Sequence, residues 1–121
     1  MESNMVNDDL FDNKFFLSYP DAKGITMDFF KNNMKEFKLK EDENFGMGFL
    51  LRFEDKKNSI FLYSDRGDLS YKLTIENEEI NLLLFEPLLS NIEWFSRKNI
   101  LFVLQTIQHY LKTKLDKSTQ I

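Results

Sequence analysis

The chain carries one histidine, His109, and no cysteine, and this removes most of the usual routes to catalysis. Without thiols there is no cysteine nucleophile, no disulfide, no iron–sulfur cluster and no cysteine-ligated zinc. His109 falls on the polar side of the last predicted helix, among Gln105, Gln108 and Lys112. Carboxylates alone would complete a poor structural zinc set around it. An imidazole can also drive hydrolysis through a serine, but no Gly-x-Ser-x-Gly turn presents one. The pattern predicts a solvent-facing histidine, with no catalytic residue, no metal site and no cofactor.

Carboxylates are numerous, yet they gather in turns: Glu41-Asp42-Glu43, Glu54-Asp55, Asp65 with Asp68, and Glu78-Glu79. A catalytic acid pair needs a cleft where burial or mutual repulsion separates two pKa values, and solvated turn acids have neither. The loop between Asp65 and Asp68 is also too short for an EF-hand. Gly46-Met47-Gly48 has the glycine spacing of a phosphate loop, but it lies inside an apolar alternation and opens no helix. Close approach of a neighbouring backbone, or a strand bend, is the expected reason for these glycines. Arg66-Gly67-Asp68 is a tripeptide that integrins read on extracellular ligands; here glycine and aspartate are what a hairpin turn requires. The chain is not expected to be an enzyme.

The elements that would position these residues follow from periodicity. Residues 1–12 hold Glu2, Asp8, Asp9 and Asp12 without a base and are expected to form a loose acidic tail. One α+β domain over residues 13–116 and a short polar tail over 117–121 complete the expected organisation. Residues 14–19 read as a short strand and residues 20–24 as a turn. Thr26 then caps a helix, Ile25 staples onto Phe30, and Met27, Phe30, Met34 and Phe37 form an apolar stripe that fades by Leu39. From Phe45 the period is two: Phe45, Met47, Phe49, Leu51 and Phe53 make one apolar face of a strand ending at Glu54. Strands over residues 58–65, 69–76 and 79–85 follow across short polar junctions. Pro87 ends the sheet. Ser90 with Glu93 forms a capping box, and Leu89 with Trp94 the staple, of a helix running to about Leu115. Ile92, Ile100, Val103, Leu104, Ile107 and Leu111 share its apolar face. The predicted fold is α+β: a mostly antiparallel meander of four to five strands packed by a long C-terminal helix, with a shorter N-terminal helix.

A length of 121 residues fits one domain, and thirteen phenylalanines supply a continuous core without covalent staples. The net charge of −4 resides in the acidic first dozen residues; beyond them acids and bases balance. No basic stripe tracks a phosphate backbone, so no nucleic-acid partner is expected. No segment approaches the roughly 20 apolar residues of a membrane helix, and residues 1–12 lack the basic and apolar regions of a signal peptide. A cytoplasmic protein without membrane partners is the expectation, and the absence of cysteine suits it.

What remains is apolar surface in excess of one core. On the last helix Trp94, Phe95, Leu101 and Phe102 fall away from the main stripe. On the second face of the sheet Leu50, Phe61, Tyr63 and Phe85, with Leu83, add another set. Large exposed apolar patches mark interfaces. The expected function is a non-catalytic protein-binding module acting by occlusion: an inhibitor, an immunity-type neutraliser, or an adaptor or chaperone. Its partner would be another protein, with a basic surface complementing the acidic tail. Trp94, Phe95, Leu101 and Phe102 would be the anchors, and the sheet-face set the alternative patch. Homodimerisation through the same surface competes with this. The alternative function is a small apolar-ligand-binding domain, with a pocket between sheet and C-terminal helix lined by Phe49, Phe53, Tyr71 and Val103.

Overall fold

The computed structural model describes residues 17–65, 68–92 and 96–119, with backbone alone at residue 69 and over 115–119. The expected acidic tail and the strand residues 14–16 lie outside the described residues. The elements, in chain order, are α1 (Tyr19–Asn33), β1 (Lys38–Phe45), β2 (Gly48–Glu54), β3 (Asn58–Asp65), β4 (Asp68–Ile75), β5 (Glu78–Ile80), a one-turn helix α2 (Leu82–Phe85), a 3₁₀ turn (Pro87–Asn91) and α3 (Arg97–Thr119). The strands form one antiparallel sheet in the order β1-β2-β3-β4-β5. The α+β meander with a short N-terminal and a long C-terminal helix is therefore the fold.

Helix α1 begins seven residues before the predicted cap at Thr26. Pro20 occupies the first turn, where its fixed φ suits a helix and its missing N–H is not needed. Asp21 lies in the same turn and Lys31 in the last, each on the side the helix dipole favours. Thr26 is buried in mid-helix and its Oγ1 donates to the Ala22 carbonyl at 2.9 Å. Proline and glycine thus made a turn signal out of a helical first turn. The helix ends as Met34 N–H bonds the Phe30 carbonyl. Its last residue is Asn33, short of the expected Leu39; Phe30 on it and Met34 and Phe37 just after it are buried, while Met27 is half-buried.

β1 was read as the fading end of that helix and a charged turn. Its residues, Lys-Leu-Lys-Glu-Asp-Glu-Asn-Phe, are nearly all exposed, so no alternation marks it. Its pairing with β2 makes it a strand. The strand expected from Phe45 to Glu54 consequently breaks at the hairpin Gly46-Met47, which leaves Phe45 and Met47 exposed. The two glycines have separate causes. Gly46 sits at φ +42°, in the left-handed region. A Cβ on Gly48 would lie 1.9 Å from the Ser64 carbonyl oxygen, so the β2–β3 approach admits only hydrogen there. At the next hairpin Asp55 accepts the Lys57 and Asn58 N–H groups at 3.0 and 2.8 Å, an Asx turn. Glu76 and Asn77, both at positive φ, make the tight β4–β5 turn.

One face of the sheet carries the core. Phe49, Leu51, Phe53, Ile60, Leu62, Leu73 and Ile75 are buried there against Phe29 and Phe30 of α1 and Ile100, Val103, Leu104, Ile107 and Leu111 of α3. Phe30 stacks on Phe53 with centroids 3.7 Å apart and ring planes 2° from parallel. α1 runs antiparallel to β1: Lys23 near its start meets Asn44 at 3.0 Å and pairs with Asp42, while Phe30 meets the far end of β2. α3 lies alongside α1, and Gln108 Nε2 donates to the Asn33 carbonyl at 3.3 Å.

After Ile80 the chain leaves the sheet, so the predicted strand 79–85 is three residues of strand and then a helical turn. Asn81 caps that turn by accepting the Leu83 N–H at 3.1 Å. An edge strand has no use for four consecutive apolar residues, and only Leu82 of Leu82-Leu83-Leu84-Phe85 is buried. The predicted capping box does not form as expected: Ser90 Oγ donates to the Pro87 carbonyl at 3.0 Å, and Glu93 lies outside the described residues. Ser96 caps α3 instead, its Oγ accepting the Asn99 N–H at 3.1 Å. α3 runs past the predicted end at Leu115 to Thr119.

Two glycines give opposite expectations. Gly48→Ala drives a methyl into backbone and is expected to cost at least about 3 kcal/mol or prevent folding. Gly24, in α1 with nothing within 4 Å of its would-be Cβ, is expected to gain about 0.5–1 kcal/mol as alanine. Urea denaturation of the two variants checks both signs.

Candidate interaction surface

Of the four C-terminal anchors expected from the sequence, the structure describes Leu101 and Phe102. Trp94 and Phe95 lie outside the described residues. Leu101 is half-buried beside Ile25, Phe29 and Arg97, in the crevice between α1 and α3. Phe102 is half-buried and packed against the core. Leu101 and Phe102 therefore support the helix packing, and polar substitutions there would strike the fold together with any interface.

The sheet-face set also divides. Leu50, Phe61 and Tyr63 do share the outer face of the sheet, each half-buried. Phe45 joins them, its ring 5.4 Å from that of Tyr63. Polar pairs surround them: Arg52 bonds both Glu41 and Glu54, and Lys72 meets Glu79 at 3.6 Å. Phe85 is not part of this face, because the chain has left the sheet by then. Its ring stands edge-on to Tyr110 at 5.0 Å and tilted over His109 at 5.6 Å. The helical turn is thereby fastened to α3.

That placement sets Leu83 and Phe85 of the expected outer-face set beside Leu84 and Leu88, which the sequence does not mark as surface. Leu84 is 82% exposed, and Leu83, Phe85 and Leu88 flank it on α2 and the 3₁₀ turn at 43%, 37% and 39%. Both turns are held by side-chain caps, Asn81 to Leu83 N–H and Glu86 to Leu88 N–H at 3.2 Å. The apolar ledge is thus presented by defined local structure. Two features of the sequence could have pointed to it: an unbroken apolar run where the alternation stops, and breakers, Asn81 and Pro87, on either side.

The residues weighed for chemistry lie apart from one another. His109 is exposed beneath Phe85. Among the described residues no three His, Asp or Glu side chains converge as a metal set. Asp55 holds a hairpin, Asp42 an ion pair to Lys23, and Asp68 opens β4 opposite Asp65; residues 66–67 lie outside the described set. Burial pushes the Tyr71 hydroxyl above its ordinary pKa. Tyr71 lines a cleft of about 500 Å³ with Ile80, Leu82 and Leu83 beside the ledge. Of the residues expected to line a pocket between sheet and C-terminal helix, Phe49, Phe53 and Val103 are buried in the core, with Phe30 stacked on Phe53, and Tyr71 is half-buried.

No family model, curated protein or solved structure matches the chain. Among the described residues no helix is long and apolar enough to cross a membrane.

Phe85→Ala is expected to lower stability by about 1 kcal/mol through loss of the aromatic contacts. The same change should remove the ring-current shift on the His109 imidazole protons, which proton NMR reads directly. Unshifted imidazole protons in the unsubstituted protein would show that α2 does not sit on α3.

Proposed function

We propose that the chain is a non-catalytic protein-binding module whose partner seats on the ledge of α2 and the 3₁₀ turn. The observation that carries this reading is Leu84, 82% exposed on a helical turn, with its chain neighbours Leu83 and Phe85 and with Leu88 of the next turn exposed as well. A contiguous apolar patch on a water-facing surface costs solubility and is characteristic of an interface. Asn81 and Glu86 supply a polar border, and a rigid apolar centre with a polar rim is how interfaces concentrate their energy. Trp94 and Phe95 follow the 3₁₀ turn closely in the chain and remain proposed anchors beside it.

The mode of action would be occlusion, as in an inhibitor, an immunity-type neutraliser or a single-client adaptor or chaperone. The excess charge of the chain is acidic and concentrated near its start, so a basic partner surface would be drawn in faster and held in register. The neighbouring cleft at Tyr71, Ile80, Leu82 and Leu83 would admit one apolar side chain of the partner. It also supports the second reading, binding of a small apolar ligand, less strongly because it is open to solvent.

The double variant Leu84→Asp/Leu88→Asp tests the proposal. Both side chains are exposed, so the thermal midpoint is expected to stay within a degree or two of the starting protein. Affinity capture from the native cell, quantified by mass spectrometry, should recover a stoichiometric partner with the original chain and lose it, at least about tenfold, with the variant. Equal recovery by both chains would remove the ledge as the site. A mass of two chains by light scattering, reverting to one in the variant, would identify the ledge as a homodimer contact instead.

A further inference from the structure

A second surface lies across the sheet from the ledge, where the last turn of α1 passes over β1 and β2. Phe30, Phe37 and Phe53 floor a groove of about 550 Å³ there, and Lys31, Lys35 and Lys38 stand on its rim with one carboxylate, Asp28. The three lysines are exposed. None makes an ion pair or a hydrogen bond with a described residue. Elsewhere Lys23, Lys57 and Lys72 each face a carboxylate. An apolar floor ringed by unpaired ammonium groups fits an extended segment that combines large apolar side chains with carboxylates.

The chain contains such a segment. Residues 8–12 read Asp-Asp-Leu-Phe-Asp, and with Glu2 they hold the acids that give the protein its net charge of −4. We propose that residues 8–12 dock in this groove in cis, with Leu10 and Phe11 on the phenylalanine floor and Asp8, Asp9 and Asp12 against Lys31, Lys35 and Lys38. The reach is sufficient. The chain enters α1 at the end remote from the groove, and the 15 residues of α1 span about 22 Å. Leu10 precedes Leu17 by seven residues, about 23–25 Å when extended, so the segment returns along α1 to the groove without slack to go much farther. The tether keeps the segment beside the groove, at a higher local concentration than a separate chain would have. Contacts too weak to hold two separate chains therefore suffice. The docked segment neutralises the lysine cluster and covers the half-exposed Met27 and the exposed Leu39. This proposal leaves the apolar contacts of the ledge unchanged, but it turns the acidic segment toward the groove and away from a basic partner surface.

Because the chain has no cysteine, Asn7→Cys carries a single spin label on the full-length protein. With labelled chains diluted into NMR-silent ones, methyl signals of Met27 and Leu39 are expected to lose intensity, while those of Leu84 and Leu88 keep theirs. The loss should be relieved by high salt, by Lys31→Glu/Lys35→Glu/Lys38→Glu, and by Asp8→Asn/Asp9→Asn/Asp12→Asn. The last substitutions leave every residue of the groove in place, so relief by them is not a folding defect. Undiminished Met27 and Leu39 signals, or equal loss at Leu84, would overturn the proposal. Loss of intensity on isotope-enriched chains that carry no label, mixed with labelled silent ones, would also overturn it and assign the groove to the segment of a second copy.

Discussion

The sheet has one apolar face, and everything above it is arranged to keep that face dry. The stack of Phe30 on Phe53 is the contact on which this depends. Phe30 also meets Phe29 and Phe37 edge-on, at 6.4 and 6.2 Å, so four rings join the helix, the turn after it and the second strand. Removing one buried ring of this kind costs about 3–5 kcal/mol, a large share of the stability of a small domain. Once α1 is fixed over β1 and β2, α3 can cover only the remaining half of the sheet. Its Ile100, Val103, Leu104, Ile107 and Leu111 do so. The outer face then stays exposed to solvent among the described elements, which is why its hydrophobics alternate with paired charges.

An open sheet has two edges, and this one treats them differently. β1 is long but carries two lysines and then three consecutive acids, with a register shift between Leu39 and Glu41. Charge and irregularity of this kind discourage a further strand from adding. β5 is three residues long and the chain departs from it at once. The departure protects the edge at the cost of presenting α2 outward. The exposed ledge is thus a consequence of how the second edge is closed: four apolar residues remain after the strand stops, and one turn of helix can bury only Leu82.

How much of this was legible in the residues depended on burial. β2 and β3 and the inner stripe of α3 are half or wholly buried, and their periods of two and 3.6 gave their identities and facing sides directly. β1 had no such mark, since an edge strand with few buried positions has no alternation to read. α1 begins earlier than its periodicity shows because the run from Pro20 to Gly24 carries turn statistics, while proline suits a helical first turn equally well. Leu84 goes unmarked as surface for a related reason. A run of leucines and a phenylalanine reads as buried strand until the register ends, and only tertiary structure tells where it ends. Leu101 and Phe102 were placed outside the core because a single helical stripe was assumed, whereas α3 packs on α1 and the sheet together and so buries a wider arc.

The two surfaces that remain differ in a way that separates their roles. The ledge is apolar, bordered by neutral and acidic groups, and lies on the β5 side; its chemistry asks for a foreign apolar surface. The groove lies on the β1 side, with cations around aromatic rings, and its chemistry asks for acids interleaved with apolar residues. The chain supplies the second composition in its own first dozen residues. Docked as proposed, such a segment would neutralise charge within the molecule on the side away from the ledge. The division follows from topology: the helix that carries the acidic segment covers one half of the sheet, and the edge that exposes the leucines closes the other.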